Sequence, residues 1–388
     1  MLTNFIGTIP ILVLLIVTDL AIIKQDGICI FKQKSFKMLT VFYLIVVVYG
    51  LLDHGVLATG KLKPQIVSFI LIYSVFIISS HIKYLNKNQI KSLLIVSLFA
   101  FTLCVSISVF VATINPMAIR LSFRELEGAE ELEVSAYRSM GVMSYALAHA
   151  ISVISVGVTI LFCYAKNKYI RIITFCLWLT MMKLQFDMTI TTALLISILC
   201  SFLVVLNRFA KGKILITSVI FILAVFLFFS TDIATDFLGF AESSNTRIFQ
   251  KFDDLFLSLK TGTGQGQMDY RNELYSTSLN TFLSNPIFGW GIDNGSRRII
   301  GEHSFFLDYL AYYGMFALLY FGAWWSHYKS VLINNGDKFK QLCLYAFLPV
   351  CMLVVVKAPS VCTSMPFASL IFLQIIIRYL KNAKIENV

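Results

Sequence analysis

Uninterrupted apolar runs recur along nearly the whole of this 388-residue chain and decide what it can fold into. A helix needs about 20 apolar residues to cross roughly 30 Å of hydrocarbon, and most of the runs reach or approach that length. The composition agrees: 58% of residues are hydrophobic and 14% charged, against about 25% charged in a soluble domain. In lipid, backbone polar groups must be satisfied within the protein, which leaves helices or a closed barrel. Barrel strands alternate apolar and polar positions in units of about ten residues, and these runs are continuous instead. The expectation is an all-α polytopic membrane protein forming a single integral membrane domain over residues 1–388. Spans are expected near Phe5–Ile23, Leu39–Leu52, Pro64–Ser80, Leu93–Asn115, Ser144–Tyr164, Ile172–Met182, Met188–Leu206, Ile214–Ser230, Ser304–Trp325, Gln341–Val356 and Val361–Tyr379, about eleven in all. The run Ile172–Met182 is short, and it is expected to form a tight pair with its successor around "KLQFD".

Basic residues set the orientation, because cationic loops are retained in the cytoplasm. Lys24–Lys37, His81–Lys91, Ala165–Arg171, Arg208–Lys213, Ser326–Lys340 and the C-terminal tail are short, strongly basic and poor in acids. The alternate connections are longer and mix both signs. The first set therefore faces the cytoplasm, with the N-terminus outside and the C-terminus inside. The net charge of +11 then serves topology and anionic membrane lipids, and no nucleic-acid partner is needed to explain it. The first apolar run lacks a basic leader and a small-residue cleavage pattern, so it is expected to remain as a span. Neither long outer connection contains a cysteine, and no metal-type spacing occurs; Cys104, Cys163, Cys176, Cys200, Cys343 and Cys351 read as small apolar helix residues. Asp19, near the inner end of its span, is expected to snorkel toward the cytoplasmic loop.

Polarity outside the spans is concentrated in residues 116–143 and 231–303, and connections of that length are usually functional or disordered. In the first, "RLSFRELEGAEELEVSAYR" sets Arg120 and Arg124 one helical turn apart, followed by Glu127, Glu130, Glu131 and Glu133. Either this is a solvated helical face braced by opposite charges, or Arg120, Arg124 and Arg138 meet an anionic ligand. In the second, Arg247 is a further candidate for anion contact, and "KTGTGQGQ" reads as a flexible turn. The stretch "MDYRNELYSTSLNTFLSNP" predicts a helix: Arg271, Leu274, Tyr275, Ser278 and Phe282 share one stripe, and Pro286 ends it. A guanidinium on the inward stripe loses solvation and needs an anion, either a carboxylate such as Asp269 or Glu273 or a bound ligand.

Beyond that helix, Gly289 and Gly291 flank Trp290 and allow a sharp bend or a close backbone approach. Trp290 suits an interface anchor or a platform for stacking a sugar. Arg297 and Arg298 then lead to Glu302 and His303, immediately before the span opening at Ser304. His303 is thus expected at the outer membrane surface beside a helix N-terminus, as a cap or as part of an anion site. Asp308 lies one turn deeper in apolar sequence, where a carboxylate needs a partner. Five residues from His303, it lies about 140° around the helix, which disfavours direct pairing between them.

In order, Arg271, Asn285, Pro286, Gly289, Gly291, His303, Ser304 and Gly314 form a pattern: an arginine on a helix, then N-P-x-x-G-x-G, a spacer, and H-S opening a span that ends in a turn with glycine. This pattern resembles the O-antigen polymerase and O-antigen ligase superfamily of bacterial membrane glycosyltransferases. The resemblance implies a GT-C-like helical fold with a long extracytoplasmic loop before a late span. It also implies a place in the cytoplasmic (inner) membrane, and an undecaprenyl-diphosphate-linked oligosaccharide as substrate. A polymerase moves the growing glycan onto the next lipid-linked repeat unit; a ligase moves the finished glycan onto lipid A core. By the same resemblance Arg271 and His303 are catalytic, and a chain-length regulator is a possible protein partner. Members often carry a Ser-Arg pair where this chain reads "MTITTALL"; here Thr189, Thr191 and Thr192 stand without an arginine, and nearby Lys183 could supply the charge. The wording around Ser304 and Asp308 is closer to polymerases.

The residues fit that chemistry. Arginine grips phosphate oxygens through a bidentate fork, and cations beside a departing diphosphate stabilise the developing charge with no metal or other cofactor. Histidine ordinarily titrates near neutrality and suits removal of a proton from the acceptor hydroxyl. Glu302 and Asp308 are alternatives for that role, and His303 could instead bind phosphate. The rival from another class is a transporter or flippase of lipid-linked glycans. It is disfavoured because such proteins place ionisable groups and broken helices near the bilayer midplane, whereas here the charge lies in an outer loop.

Overall fold

A computed structural model describes residues 8–52, 62–114, 145–188, 190–209, 267–290, 300–334, 339–359 and 362–385. Among these the regular structure is all helical. In chain order the helices are α1 (Thr8–Asp26), α2 (Lys34–Leu52), α3 (Leu62–Ile82), α4 (Lys87–Ile114), α5 (Tyr145–Tyr164), α6 (Lys168–Asp187), α7 (Thr191–Phe209), α8 (Gln267–Ser284), α9 (Phe305–Tyr313), α10 (Ala317–Tyr328) and α11 (Lys340–Val356). The last, α12 (Leu373–Ile385), follows the short turns Met365–Phe367 and Ala368–Phe372. Each expected span that falls on described residues coincides with helix. The expected span Ile214–Ser230, the connection 116–143 and most of 231–303 lie outside the described residues.

Among the described residues, four helical runs are long and apolar enough to cross a membrane: Lys87–Ile114, Tyr145–Tyr164, Thr191–Arg208 and Phe305–Ile333. One of these, α4, turns Val96, Phe99, Leu103, Phe110 and Ile114 outward as an exposed apolar stripe. Soluble monomers rarely expose a continuous surface of that kind, and hydrocarbon suits it. By contrast α5 is the axis of the bundle, buried on nearly every side and packed by α6, α7, α11 and α12. Its polar groups are satisfied laterally. Ser152 Oγ donates to the carbonyl of Ala193 at 2.9 Å, and Ser197 donates to Gln185 Oε1 at 2.9 Å, joining α5, α6 and α7 through buried hydrogen bonds. In apolar surroundings, leaving these groups unpaired would cost more than the bonds themselves contribute.

Two sequence expectations need correction. The short run Ile172–Met182 lies inside the 20-residue α6, which is lengthened at its N-terminal end by Asn167, whose side chain caps the amide of Tyr169. Capping satisfies orphan amides and lets the helix begin in polar sequence. Asp19 does not reach for water: it is 8% exposed, and its Oδ2 accepts a 2.6 Å hydrogen bond from Ser74 on α3. A neighbouring hydroxyl replaces solvent, so the carboxylate stays between α1 and α3. The same pair of helices is tied at its ends by His81 and Asp26, with Nδ1 and Oδ2 2.8 Å apart.

The late helical run is bent where it meets the outer segment. Helix α9 stops at Gly314, whose φ of 59° is the left-handed conformation that glycine accepts without penalty, and a 3-10 turn over Gly314–Phe316 leads into α10. The turn that follows α8 lies across this joint. Trp290 N donates to Ala311 O at 2.9 Å, and Met315 N donates to Pro286 O at 2.8 Å. Beneath it is an aromatic floor: Phe305 and Tyr309 pack edge to face at 4.5 Å, and Phe42 of α2 meets Tyr313 at 5.2 Å.

Candidate functional site

The site is the corner between α8 and the start of α9. Two contacts fix the helices there. At Gly301 the chain passes so close to α8 that a Cβ would lie 2.1 Å from the carbonyl oxygen of Leu274. One turn further along α8, Ser278 is fully buried; its Oγ accepts from the amide of Gly301 at 2.8 Å and donates to Asp308 Oδ1 at 2.6 Å. The other carboxylate oxygen of Asp308 accepts from the amide of Ser304 at 3.3 Å. Ser304 is itself the N-cap of α9, taking the amide of Leu307 at 3.2 Å. Residues 301–304 are thereby folded over the α9 N-terminus and pinned to α8.

The pinned turn presents His303. Its ring is half-buried and meets Tyr270 edge to face at 6.4 Å. The buried Nδ1 has no hydrogen-bond partner among the described residues. Glu302, just before it, has φ of 60° and an exposed side chain. For a residue with a Cβ that conformation costs on the order of 1–3 kcal/mol, and such strain is commonly retained where it aims a neighbouring group. Here the neighbour is His303.

Arg271 follows Tyr270 on the first turns of α8, half-buried on the stripe that faces the corner. The expected stripe is present: Leu274 and Ser278 are buried, and Tyr275 and Phe282 are half-buried. Among the described residues no ion pair joins Arg271 to Glu273. The charge of Arg271 instead acts on Tyr275, whose hydroxyl donates to the carbonyl of Val356 at 3.4 Å. Burial pushes the Tyr275 phenol above its usual range; Arg271 opposes that rise and Asp308 adds to it. Tyr275 is therefore within electrostatic reach of both the cation and the carboxylate of the corner and stays protonated at neutral pH.

A third element closes the corner. The carbonyl of Lys357, the residue following α11, accepts from the amide of Phe305 at 2.6 Å. This residue was not singled out by sequence; the available signal was a lysine followed by Ala-Pro directly after an apolar span. On the other flank, Asn285 Nδ2 donates to Gly289 O at 2.6 Å, and Trp290 Nε1 donates to Ser284 Oγ at 2.8 Å while the indole stays substantially exposed. The tryptophan is thus held by its nitrogen with a free face.

Of the residues expected at the site, Arg271, Glu302, His303 and Asp308 are brought to this corner, whereas Trp290 lies by the far ends of α8 and α9, against Ser284 and Ala311. Asp308 is 2% exposed with both oxygens engaged, so it acts as an internal fastener rather than facing a ligand. Lys183 is paired within α6, its Nζ 2.8 Å from Asp187 Oδ2, which removes it as the substitute for a missing arginine. Arg120, Arg124, Arg138, Arg247, Arg297 and Arg298 lie outside the described residues. Among the described residues no three His, Cys, Asp or Glu side chains converge as a metal ion would require.

Residues 172–322 match the family model described as O-antigen ligase, a stretch that begins within α6, includes the whole corner and ends within α10. The match supports the O-antigen polymerase and ligase superfamily. No curated protein and no solved structure matched the chain.

Proposed function

We propose, from the match over residues 172–322, that this chain is a member of the O-antigen polymerase and ligase superfamily and a surface-polysaccharide polymerase of the bacterial cytoplasmic membrane. It transfers the growing glycan from undecaprenyl diphosphate to the next lipid-linked repeat unit at the outer face. In this reading the membrane domain has about eleven spans in a GT-C-like arrangement, with the N-terminus outside, the C-terminus inside and the α8–α9 corner at the outer surface. A chain-length regulator is its expected protein partner.

The observation that carries the reading is the corner itself: a half-buried arginine with no carboxylate partner among the described residues, beside a strained turn that presents a histidine whose buried Nδ1 has no hydrogen-bond partner among them. The acceptor hydroxyl gives its proton to His303, and its oxygen forms a bond to C1 of the donor sugar. The bond between C1 and the phosphate oxygen breaks, and its electron pair leaves with the undecaprenyl diphosphate. Arg271 neutralises that leaving charge through a fork matched to phosphate oxygens. Prepositioned charge of this kind is worth most in a site partly removed from water. Trp290 offers its free face to a saccharide ring. The outer-loop arginines, Arg120, Arg124, Arg138, Arg247, Arg297 and Arg298, extend the positive surface that receives the carrier.

The family description supplies a second reading, transfer of finished glycan onto lipid A core, which uses the same donor and differs in acceptor. The surface glycan profile of a deletion strain separates the two. Loss of a polymerase leaves core bearing one repeat unit. Loss of a ligase leaves bare core and lipid-linked polymer. Repeat units stranded on the cytoplasmic face would overturn both in favour of a flippase.

A further inference from the structure

At the opposite end of the Phe305–Ile333 helical run from His303 lies a cavity of about 570 Å³ that the corner chemistry does not use. It opens between the residues that end α3, those that follow α10, and α12. Lys83, Arg378 and Lys381 line it together with Asn334, Gln374 and Asn382, and none of its described lining residues is a carboxylate. The volume falls in the range of small-molecule sites, roughly 300–1,000 Å³.

Two details mark it as built for a ligand. Gln374 is 1% exposed, yet both its Nε2 and its Oε1 lack hydrogen-bond partners among the described residues. A buried carboxamide with neither donor nor acceptor satisfied is costly and normally has a partner. Arg378 donates from Nη2 to the carbonyl of Leu85 at 3.4 Å, while its Nε is buried without a partner among the described residues. The guanidinium is thus anchored on one side with a donor left over. Lys83 lies over the ring of Tyr84, its Nζ 4.6 Å from the centroid, which holds that ammonium at the wall.

We infer that this cavity binds a phosphate-bearing anion, with Arg378 and Lys83 contacting the phosphoryl oxygens and Gln374 the polar group attached to it. Carboxamide donor and acceptor together suit a headgroup carrying hydroxyls, and Arg378 with Lys83 selects negative charge. The surrounding connections are the basic ones that the positive-inside rule assigns to the cytoplasm, where anionic phospholipid is at hand. A soluble phosphate ester has the same recognition chemistry.

The test uses the full chain purified in zwitterionic detergent, titrated separately with short-chain phosphatidylglycerol, short-chain phosphatidylcholine and inorganic phosphate, with thermal stability as the readout. Saturable stabilisation by phosphatidylglycerol and not phosphatidylcholine, with a half-saturation about tenfold weaker in Arg378→Gln or Lys83→Gln, matches the loss of one charge-assisted hydrogen bond and assigns a lipid. Saturation by inorganic phosphate with the same dependence on the variants assigns a soluble ester. Gln374→Leu, which removes the unpartnered groups without altering charge, should weaken phosphatidylglycerol more than phosphate. Lys32→Gln, an exposed cation outside the cavity, controls for general attraction. Absence of saturable binding in both anion arms overturns the inference, and so does binding that survives all three cavity variants or falls equally with Lys32→Gln.

Discussion

The hydroxyl of Ser278 on α8 donates to Asp308 on α9 at 2.6 Å while accepting the amide of Gly301 at 2.8 Å, so one buried side chain holds both the carboxylate and the turn before His303. Removing the carboxylate strips partners from Ser278 and from the amide of Ser304 at once. Each buried orphan costs about 1–3 kcal/mol. Asp308→Ala is expected to lower the melting temperature in detergent and to reduce glycan transfer by more than the stability loss alone explains, because the turn is released. Asp308→Asn keeps the shape and one acceptor, so its melting temperature should fall between those of Asp308→Ala and the parent. Equal melting of all three proteins would contradict the fastening role.

Gly289 and Gly314 meet backbone to backbone. A Cβ on Gly289 would lie 2.5 Å from the amide nitrogen of Gly314, and one on Gly314 would lie 2.3 Å from the carbonyl of Ile287; both residues have positive φ. Gly289→Ala and Gly314→Ala are each expected to cost roughly 1–3 kcal/mol from overpacking alone, with conformational strain in addition. The double variant should cost less than the sum, because both changes break the same contact. Thermal unfolding of the three variants measures this coupling.

Which parts of this corner could be read from sequence follows from how far apart their partners are. The spans and α8 are local: an apolar run or a stripe from Arg271 to Phe282 with Pro286 as its stop repeats a period within one segment, so the pattern survives in one dimension. The partners of Asp308 and Asp19 are not local. Ser278 is 30 residues from Asp308 and Ser74 is 55 from Asp19, and serine in apolar sequence carries no mark of what it will bond. Lys183 is the opposite case: its carboxylate, Asp187, is four residues ahead, a spacing that the sequence does display. Lys357 enters through its backbone carbonyl, which no side-chain pattern reports.

Arg271 and His303 make separable predictions. Arg271→Lys keeps the charge and loses the fork, so glycan transfer is expected to fall about tenfold, whereas Arg271→Ala should remove about 10²–10³-fold, the usual loss for a preorganised donor to developing charge. His303→Gln retains hydrogen bonding but cannot take a proton. If His303 is the base, transfer falls by about 10²–10⁴-fold and the rate no longer rises with pH; if it only binds phosphate, much of the rate survives. Transfer from lipid-linked oligosaccharide by purified protein, measured across pH at matched protein level, distinguishes these outcomes. Activity at parental level in Arg271→Ala and His303→Gln would remove the corner from the reaction.

Tyr275 gives a prediction whose sign changes with pH. Its phenol is raised above the ordinary value of 10.0, chiefly by burial, so the folded protein holds that proton more tightly than the unfolded chain does. The resulting stability is fully present below the unfolded value and is lost as pH rises through the higher folded one. Tyr275→Phe removes this ionisation together with the 3.4 Å hydrogen bond to Val356, a long bond that contributes at the low end of about 0.5–1.5 kcal/mol. Near pH 8 the variant should therefore melt slightly below the parent. Above about pH 10 the parent has to ionise a buried phenol or unfold, while phenylalanine does not, so the two melting curves should converge and then cross. Other buried tyrosines titrate identically in both proteins and cancel in the difference. A gap that stays constant from neutral to alkaline pH would mean that the Tyr275 phenol is open to water and not raised by burial.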